Sequence, residues 1–232
     1  MVSLIATEPK PEKRERIAVP ISDLFESLER LEAESRELVV KAIKECRIQP
    51  DYQLAFYDTV IGNTGLYEAI RKAAEGVEKP KYVDPCCGDG ISTIVAAIAG
   101  CQAYGGDIDP EFIRIAKENV LEALGEGLFL GPDKLNPSRV AVNDMFDIHS
   151  YKRNLSVAFN EADIFFVNAL PSQIEQYAPL FAEHARNGAR IILPGKGKIT
   201  QPNVKLLEAR LTGELDEHGR PEYAYHIYQK QV

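Results

Sequence analysis

The stretch Lys81–Gly100, KYVDPCCGDGISTIVAAIAG, constrains this chain more than any other. An apolar run ends in an acid, a glycine-rich turn follows, and an apolar helical pattern starts directly after the turn. The unit reads as strand, tight turn, helix. A second strand, QAYGGD, leads into DPEFIRIAKENVLEAL, a helix with Asp109 as N-cap and Pro110 at its first position. VAVN reads as a third strand, DIFFVN as a fourth and ARIILPG as a fifth. Between the last two, SQIEQYAPLFAEHARNG opens with a capping-box pattern, Ser172 and Glu175, and carries Pro179, which should break or kink it. GEGLFLGPDKLNPSR is an inserted loop. ARLTGEL and EYAYHIYQ, joined by DEHGRP, predict a closing hairpin that adds an antiparallel strand at one edge. Strands alternating with helices predict an α/β fold, a doubly wound parallel sheet with helices on both faces.

Upstream, the pattern is different. Residues 1–19 are charged and proline-containing and read as a flexible tail, 20–80 as an N-terminal helical extension, and 81–232 as the main domain. Apolar residues from Leu24 to Cys46 recur at helical spacing, with a polar gap, EAESRE, predicted to split the segment into two helices. The apolar stripe is read as packing on its own domain, in preference to a lid or a dimer contact. YDTVIGNTG is turn-rich, and LYEAIRKAAEGV is a helix ending near Gly76.

Net charge is −8 over 232 residues, which steers the chain away from nucleic acids and anionic membranes without excluding a local exception. No apolar run is long enough for a signal peptide or a bilayer span, so the expected location is cytoplasmic. The four cysteines, Cys46, Cys86, Cys87 and Cys101, form no C-x-x-C pair, and no histidine lies at ligand spacing. Cys86 and Cys87 are read as small apolar fillers of a tight turn, and no metal is expected.

A glycine turn between strand and helix lets a ligand approach the backbone and meet free N–H groups. The dinucleotide fingerprint G-x-G-x-x-G fits poorly, because Thr93 stands where its third glycine would be. Three acids suggest another ligand. Asp84 ends the first strand and could meet a cationic group. Asp107 ends the second strand, within reach of ribose hydroxyls, and Asp144 follows the third, where it could accept from an adenine amino group, as could Asn143 beside it. A ligand meeting all three acids is a nucleoside with a cationic amino-acid tail.

At these residues the chain resembles the class I S-adenosylmethionine-dependent methyltransferases. VDPCCGDG is similar to their first motif, GGDIDPEF to the acidic second-strand motif, AVNDMF to the adenine-contact motif, and DIFFVNALP sits at the fourth-strand motif. The resemblance implies a seven-stranded Rossmann-like methyltransferase sheet and S-adenosylmethionine as cofactor. It implies a cofactor cradle of Asp84, Pro85, Cys86, Gly88, Gly90, Asp107, Ile108, Asn143, Asp144, Met145 and Asn168, with Asn168 also the catalytic candidate. The D-P-x-C-G-x-G form is similar to that of base-modifying members. Their N-P-P-aromatic sequence is replaced here by Asn168, Ala169, Leu170 and Pro171, without the aromatic that stacks on a flipped base. The expected activity is methyl transfer to a small molecule or another acceptor. Transfer of the aminocarboxypropyl group and a non-catalytic cofactor-binding partner subunit stay open as alternatives. His149, His184, His218 and His226 read as surface or satisfied histidines, and Lys196 and Lys198 as a solvated loop.

Overall fold

The computed structural model describes residues 20–45, 47–48, 62–128, 133–195, 198–215 and 221–232. The expected tail, Cys46, most of the YDTVIGNTG turn, Lys196 and the hairpin connection with His218 lie outside the described residues. Two helices, α1 (Ile21–Lys44) and α2 (Asn63–Ala73), come first. An alternation follows of β1 (Lys81–Asp84), α3 (Ile91–Ile98), β2 (Gln102–Asp107), α4 (Pro110–Gly125), β3 (Val140–Val142), β4 (Ile164–Phe166), α5 (Pro171–His184) and β5 (Arg190–Pro194). The chain closes with β6 (Val204–Leu215) and β7 (Pro221–Lys230).

The seven strands form one sheet in the order β3-β2-β1-β4-β5-β7-β6. The first five are parallel, and β7 runs antiparallel to both β5 and β6. The antiparallel strand therefore lies one place in from the edge, and β6 is the edge. β6 also begins at Val204, ahead of the expected Ala209, because Leu206 and Leu207 are both exposed and give no period-two signal.

Alternation along each strand sends side chains to two cores. Tyr82, Phe166 and Ile192 join one, which is covered by α1, α2, α3 and α4. Val83, Phe165 and Ile191 join the other, under α5 and the helical segment Ile148–Leu155. The helices that precede the sheet share the first core: Leu28 and Leu31 of α1 and Leu66, Ala69 and Ile70 of α2 are buried with Ile94 and Ala116. Among the described residues, no helix is long and apolar enough to cross a membrane.

The structure corrects two helix readings. The EAESRE stretch does not split α1, which is continuous from Ile21 to Lys44. Apolar periodicity lapses there, but the helix propensity of Glu, Ala and Arg does not. Arg30–Glu34 and Arg36–Glu32 pair one turn apart along it. α5 is not capped by Ser172 and Glu175. Leu170 is the N-cap, Pro171 takes the first helical position, and the Gln173 amide oxygen accepts from the Leu170 N–H at 3.0 Å. The helix also runs on through Pro179. Asp109 caps α4 as expected, accepting from the Glu111 N–H at 2.8 Å.

Strand order reverses between β1 and β4. Connections leave β1 towards β2 and β3, and leave β4 towards β5, so a crevice opens at the carboxyl ends of the central strands.

Candidate active site

The crevice is a cleft of about 380 Å³, within the size range of small-molecule sites. Its floor is the turn between β1 and α3. Asp84 ends β1 and is buried, with one carboxylate oxygen accepting from the Cys86 N–H at 3.0 Å and the other from the Ser92 hydroxyl. Burial raises its carboxyl to about 7, against the pull of those hydrogen bonds.

Gly90 needs to be glycine on two counts. Its φ is +81°, and a Cβ there would sit 2.9 Å from the Ala116 Cβ on α4. Gly88 also has positive φ, at 52°, and its N–H donates to an Asp107 carboxylate oxygen at 3.1 Å. The other oxygen of Asp107 accepts from the Asp109 N–H at 2.9 Å. The acid ending β2 thus ties the glycine turn to the start of α4. Burial pushes it up to about 6. A carboxylate offers about four acceptor positions, more than these backbone donors fill, so Asp107 can still receive a ligand hydroxyl.

The two cysteines point to opposite sides of the sheet. Cys87 is buried in the first core, and its N–H donates to the Gly106 carbonyl at 2.8 Å. Cys86 is half-buried against the second core, and its thiol donates to the Asn168 carbonyl at 3.4 Å, stitching the turn to the chain after β4. Burial pushes both thiols well above their ordinary range, as do the neighbouring carboxylates, so neither is a ready nucleophile. Among the described residues, no group of His, Cys, Asp and Glu is arranged to hold a metal.

Beyond β3, Asn143 and Asp144 divide their tasks. Asn143 is buried, and its amide is engaged inside the protein, donating to the Asp144 carbonyl at 3.1 Å and accepting from the Ser150 hydroxyl at 2.7 Å. Asp144 is exposed at the cleft edge, with one carboxylate oxygen accepting from the Phe146 N–H at 2.9 Å. Ile108, Met145 and Asn168 also line the cleft, with Pro85, Cys86 and Gly88 along the floor. Of the candidate cradle, Gly90 alone stands behind the lining, where it lets α4 close on the turn. His149, His184, His226 and Lys198 are absent from the lining.

One wall of the cleft is absent from the sequence reading. It is built from the two helices that precede the sheet: Glu32 and Arg36 of α1 and Asn63 of α2. Glu32 accepts from the Asn63 amide at 2.7 Å and from Arg36 at 2.8 Å. One turn inward, Ser35 donates to the buried Asp89 carboxylate at 2.6 Å, and the Asn119 amide bonds both Ser35, at 3.0 Å, and the Asp89 carbonyl, at 2.8 Å. Asp89 lies between the two glycines of the turn, and burial raises it to about 6. The lining is strongly acidic, with Glu32, Asp84, Asp89, Asp107 and Asp144 against the single cation Arg36 among the described residues. Such a cleft suits a cationic ligand.

No protein-family model matches the chain. A ribosomal protein L11 methyltransferase from Laribacter hongkongensis is 27% identical over 114 residues, which is 49% of this chain and 31% of that protein. The chain thus matches about a third of that relative's length. Among solved structures, a protein of Haemophilus influenzae described as a candidate methylase aligns over 72% of this chain and 99% of its own, with a TM-score of 0.51 and 17% identity. A geranyl diphosphate methyltransferase solved with geranyl diphosphate and sinefungin aligns over 72% of this chain and 78% of its own, with a TM-score of 0.51 and 13% identity. The fold of this chain is that of the class I S-adenosylmethionine-dependent methyltransferases.

Proposed function

We propose that this protein binds S-adenosylmethionine in the cleft and transfers its methyl group to a small acceptor. The observation that carries the reading is the arrangement of Asp84, the Gly88 turn, Asp107 and Asp144 around one cleft at the carboxyl ends of β1, β2 and β3. In this reading Asp107 accepts from the ribose hydroxyls and Asp144 from the adenine amino group. Ile108 and Met145 supply apolar surface for the base. Asp84 and the glycine turn receive the amino-acid end.

The sulfonium methyl is already activated. An acceptor lone pair attacks the methyl carbon in line with the C–S bond, the bond electrons return to sulfur, and a neutral thioether leaves. The protein's part is to hold donor and acceptor in line, and a base is needed only for an acceptor that keeps its proton. Asn168, after β4, is the residue we assign to orienting the acceptor. The acidic lining and the lack of an aromatic after Asn168 favour a small acceptor over a flipped base.

Calorimetry with S-adenosylhomocysteine and with NAD tests the cofactor assignment, and tight NAD binding with no adenosyl binding would refute it. Turnover of labelled cofactor over panels of metabolites and RNA tests the acceptor, and product mass separates methyl from aminocarboxypropyl transfer.

A further inference from the structure

Among the described residues, Arg36 is the lone cation in the acidic lining. The proposed cofactor carries two positive groups, its sulfonium and its ammonium, and one negative group, the α-carboxylate. Five carboxylates suit the first two. The third requires a cation or several N–H groups, and any carboxylate facing the acidic side chains of the cleft would be repelled.

Arg36 also lines the cleft together with Gly88 and Asp89 of the glycine turn. Its neighbour Ser35 is bonded to Asp89, between Gly88 and Gly90, so the helix is pinned to the turn one residue away from the guanidinium. Arg36 lies near enough to Asp89 for its charge to lower that carboxyl, while Glu32 raises it. Glu32 meets one guanidinium nitrogen at 2.8 Å and so orients the side chain. The planar guanidinium keeps further N–H donors for a second, bidentate partner.

We infer that Arg36 of the N-terminal helix is the binding residue for the α-carboxylate of the cofactor, a contact that rests on the proposed cofactor reading. The glycine turn then receives the tail from below and α1 closes on it from the side.

The test compares S-adenosylhomocysteine with S-adenosyl-3-thiopropylamine, the same molecule without its carboxylate, on the wild-type protein and on Arg36→Gln. The side chain is about half exposed, so loss of the contact should weaken S-adenosylhomocysteine on the order of tenfold, after allowance for solvent screening. The decarboxylated compound should bind both proteins alike. Arg36→Lys should recover part of the loss, since an ammonium keeps the charge without the fork. Equal losses for both compounds, or no loss for either, would overturn the inference. So would unchanged affinities with slowed turnover, which would give the anion to the acceptor instead. A wild-type protein that binds neither compound would fail at the cofactor reading itself, a different result from a wild type that binds and a variant that does not change.

Discussion

Ser35, on the first helix, donates a 2.6 Å hydrogen bond to the buried carboxylate of Asp89, in the turn between the first strand and its helix. This bond joins a helix outside the alternating fold to the backbone on which the proposed cofactor rests. Ser35→Ala leaves Asp89 with the Ile91 N–H alone among its carboxylate partners in the described residues. We expect a loss of about 1–3 kcal/mol in urea unfolding, together with weaker S-adenosylhomocysteine binding. Ser35→Thr keeps the hydroxyl and should restore most of both. Stability lost with affinity intact would confine Ser35 to packing.

Asp107 holds the glycine turn through the Gly88 N–H and is assigned to the ribose. Asp107→Asn keeps the shape and loses the charge and one acceptor oxygen. Cofactor affinity should fall about ten- to a hundredfold, the worth of a charge-assisted hydrogen bond. Calorimetry on a folded variant with an unchanged dissociation constant would remove Asp107 from the site.

At Gly90 the constraint is steric. Gly90→Ala places a Cβ 2.9 Å from that of Ala116 in a backbone conformation unfavourable to L residues. The expected cost is about 1–3 kcal/mol in stability, with a displaced turn and impaired cofactor binding. A variant with wild-type melting temperature and affinity would show that α4 yields there.

Two buried acids, Asp84 and Asp89, and the partly buried Asp107 set a pH dependence. Asp84 has a folded-state value of about 7, and Asp89 and Asp107 about 6, all raised chiefly by burial. Raised values mean that the folded state holds protons the unfolded chain has released. Their contribution is therefore greatest below about pH 4 and is lost as pH rises from about 4 to about 7. Cofactor affinity should run the other way over that window, since a cationic tail and ribose donors want these groups ionised. Urea midpoints and calorimetry between about pH 5 and 7.5 test both slopes, and Asp84→Asn should flatten each. Stability that climbs across the window would contradict the burial argument.

Asn168 is assigned to the acceptor, so Asn168→Ala should cost turnover more than cofactor binding. A rate loss of roughly tenfold to several hundredfold, with S-adenosylhomocysteine affinity within about threefold, is the expected pattern. Steady-state kinetics beside calorimetry separate this from equal losses, which would make Asn168 a cofactor ligand.

The sheet was legible because its inner parallel strands are buried on both faces. KYVD, DIFFVN and ARIILPG are short apolar runs with sharp ends, and such runs have few other uses in a chain of this kind. The cap of α4 was legible because aspartate before proline is a local signal. The start of β6, with two adjacent exposed leucines, carried no such signal. Neither did the frame of α5, where Ser172–Glu175 matched the capping pattern and Gln173 made the bond. In the cleft lining, Asp84 and Asp107 could be placed from the sequence because each ends a strand, and Asp144 because it follows one closely. Glu32, Ser35 and Arg36 could not, since on paper they are a charge-rich gap in an amphipathic helix. Only the packing of α1 on α4, fixed by side chains some 80 positions apart such as Ser35 and Asn119, turns that gap toward the cleft.

The shared core also bears on the order in which the chain can fold. α1 and α2 precede all seven strands of the sheet in the chain, yet Leu28, Leu31, Leu66 and Ile70 share a core with residues of α3 and α4. Arg30 reaches Glu122 and Glu126 near the end of α4. These helices must wait for that core until two strands and two more helices have followed them. This is a long-range contact, slow to close and exposed to misassociation in the interval. The helix that walls the proposed site is therefore synthesised well before the elements that secure it.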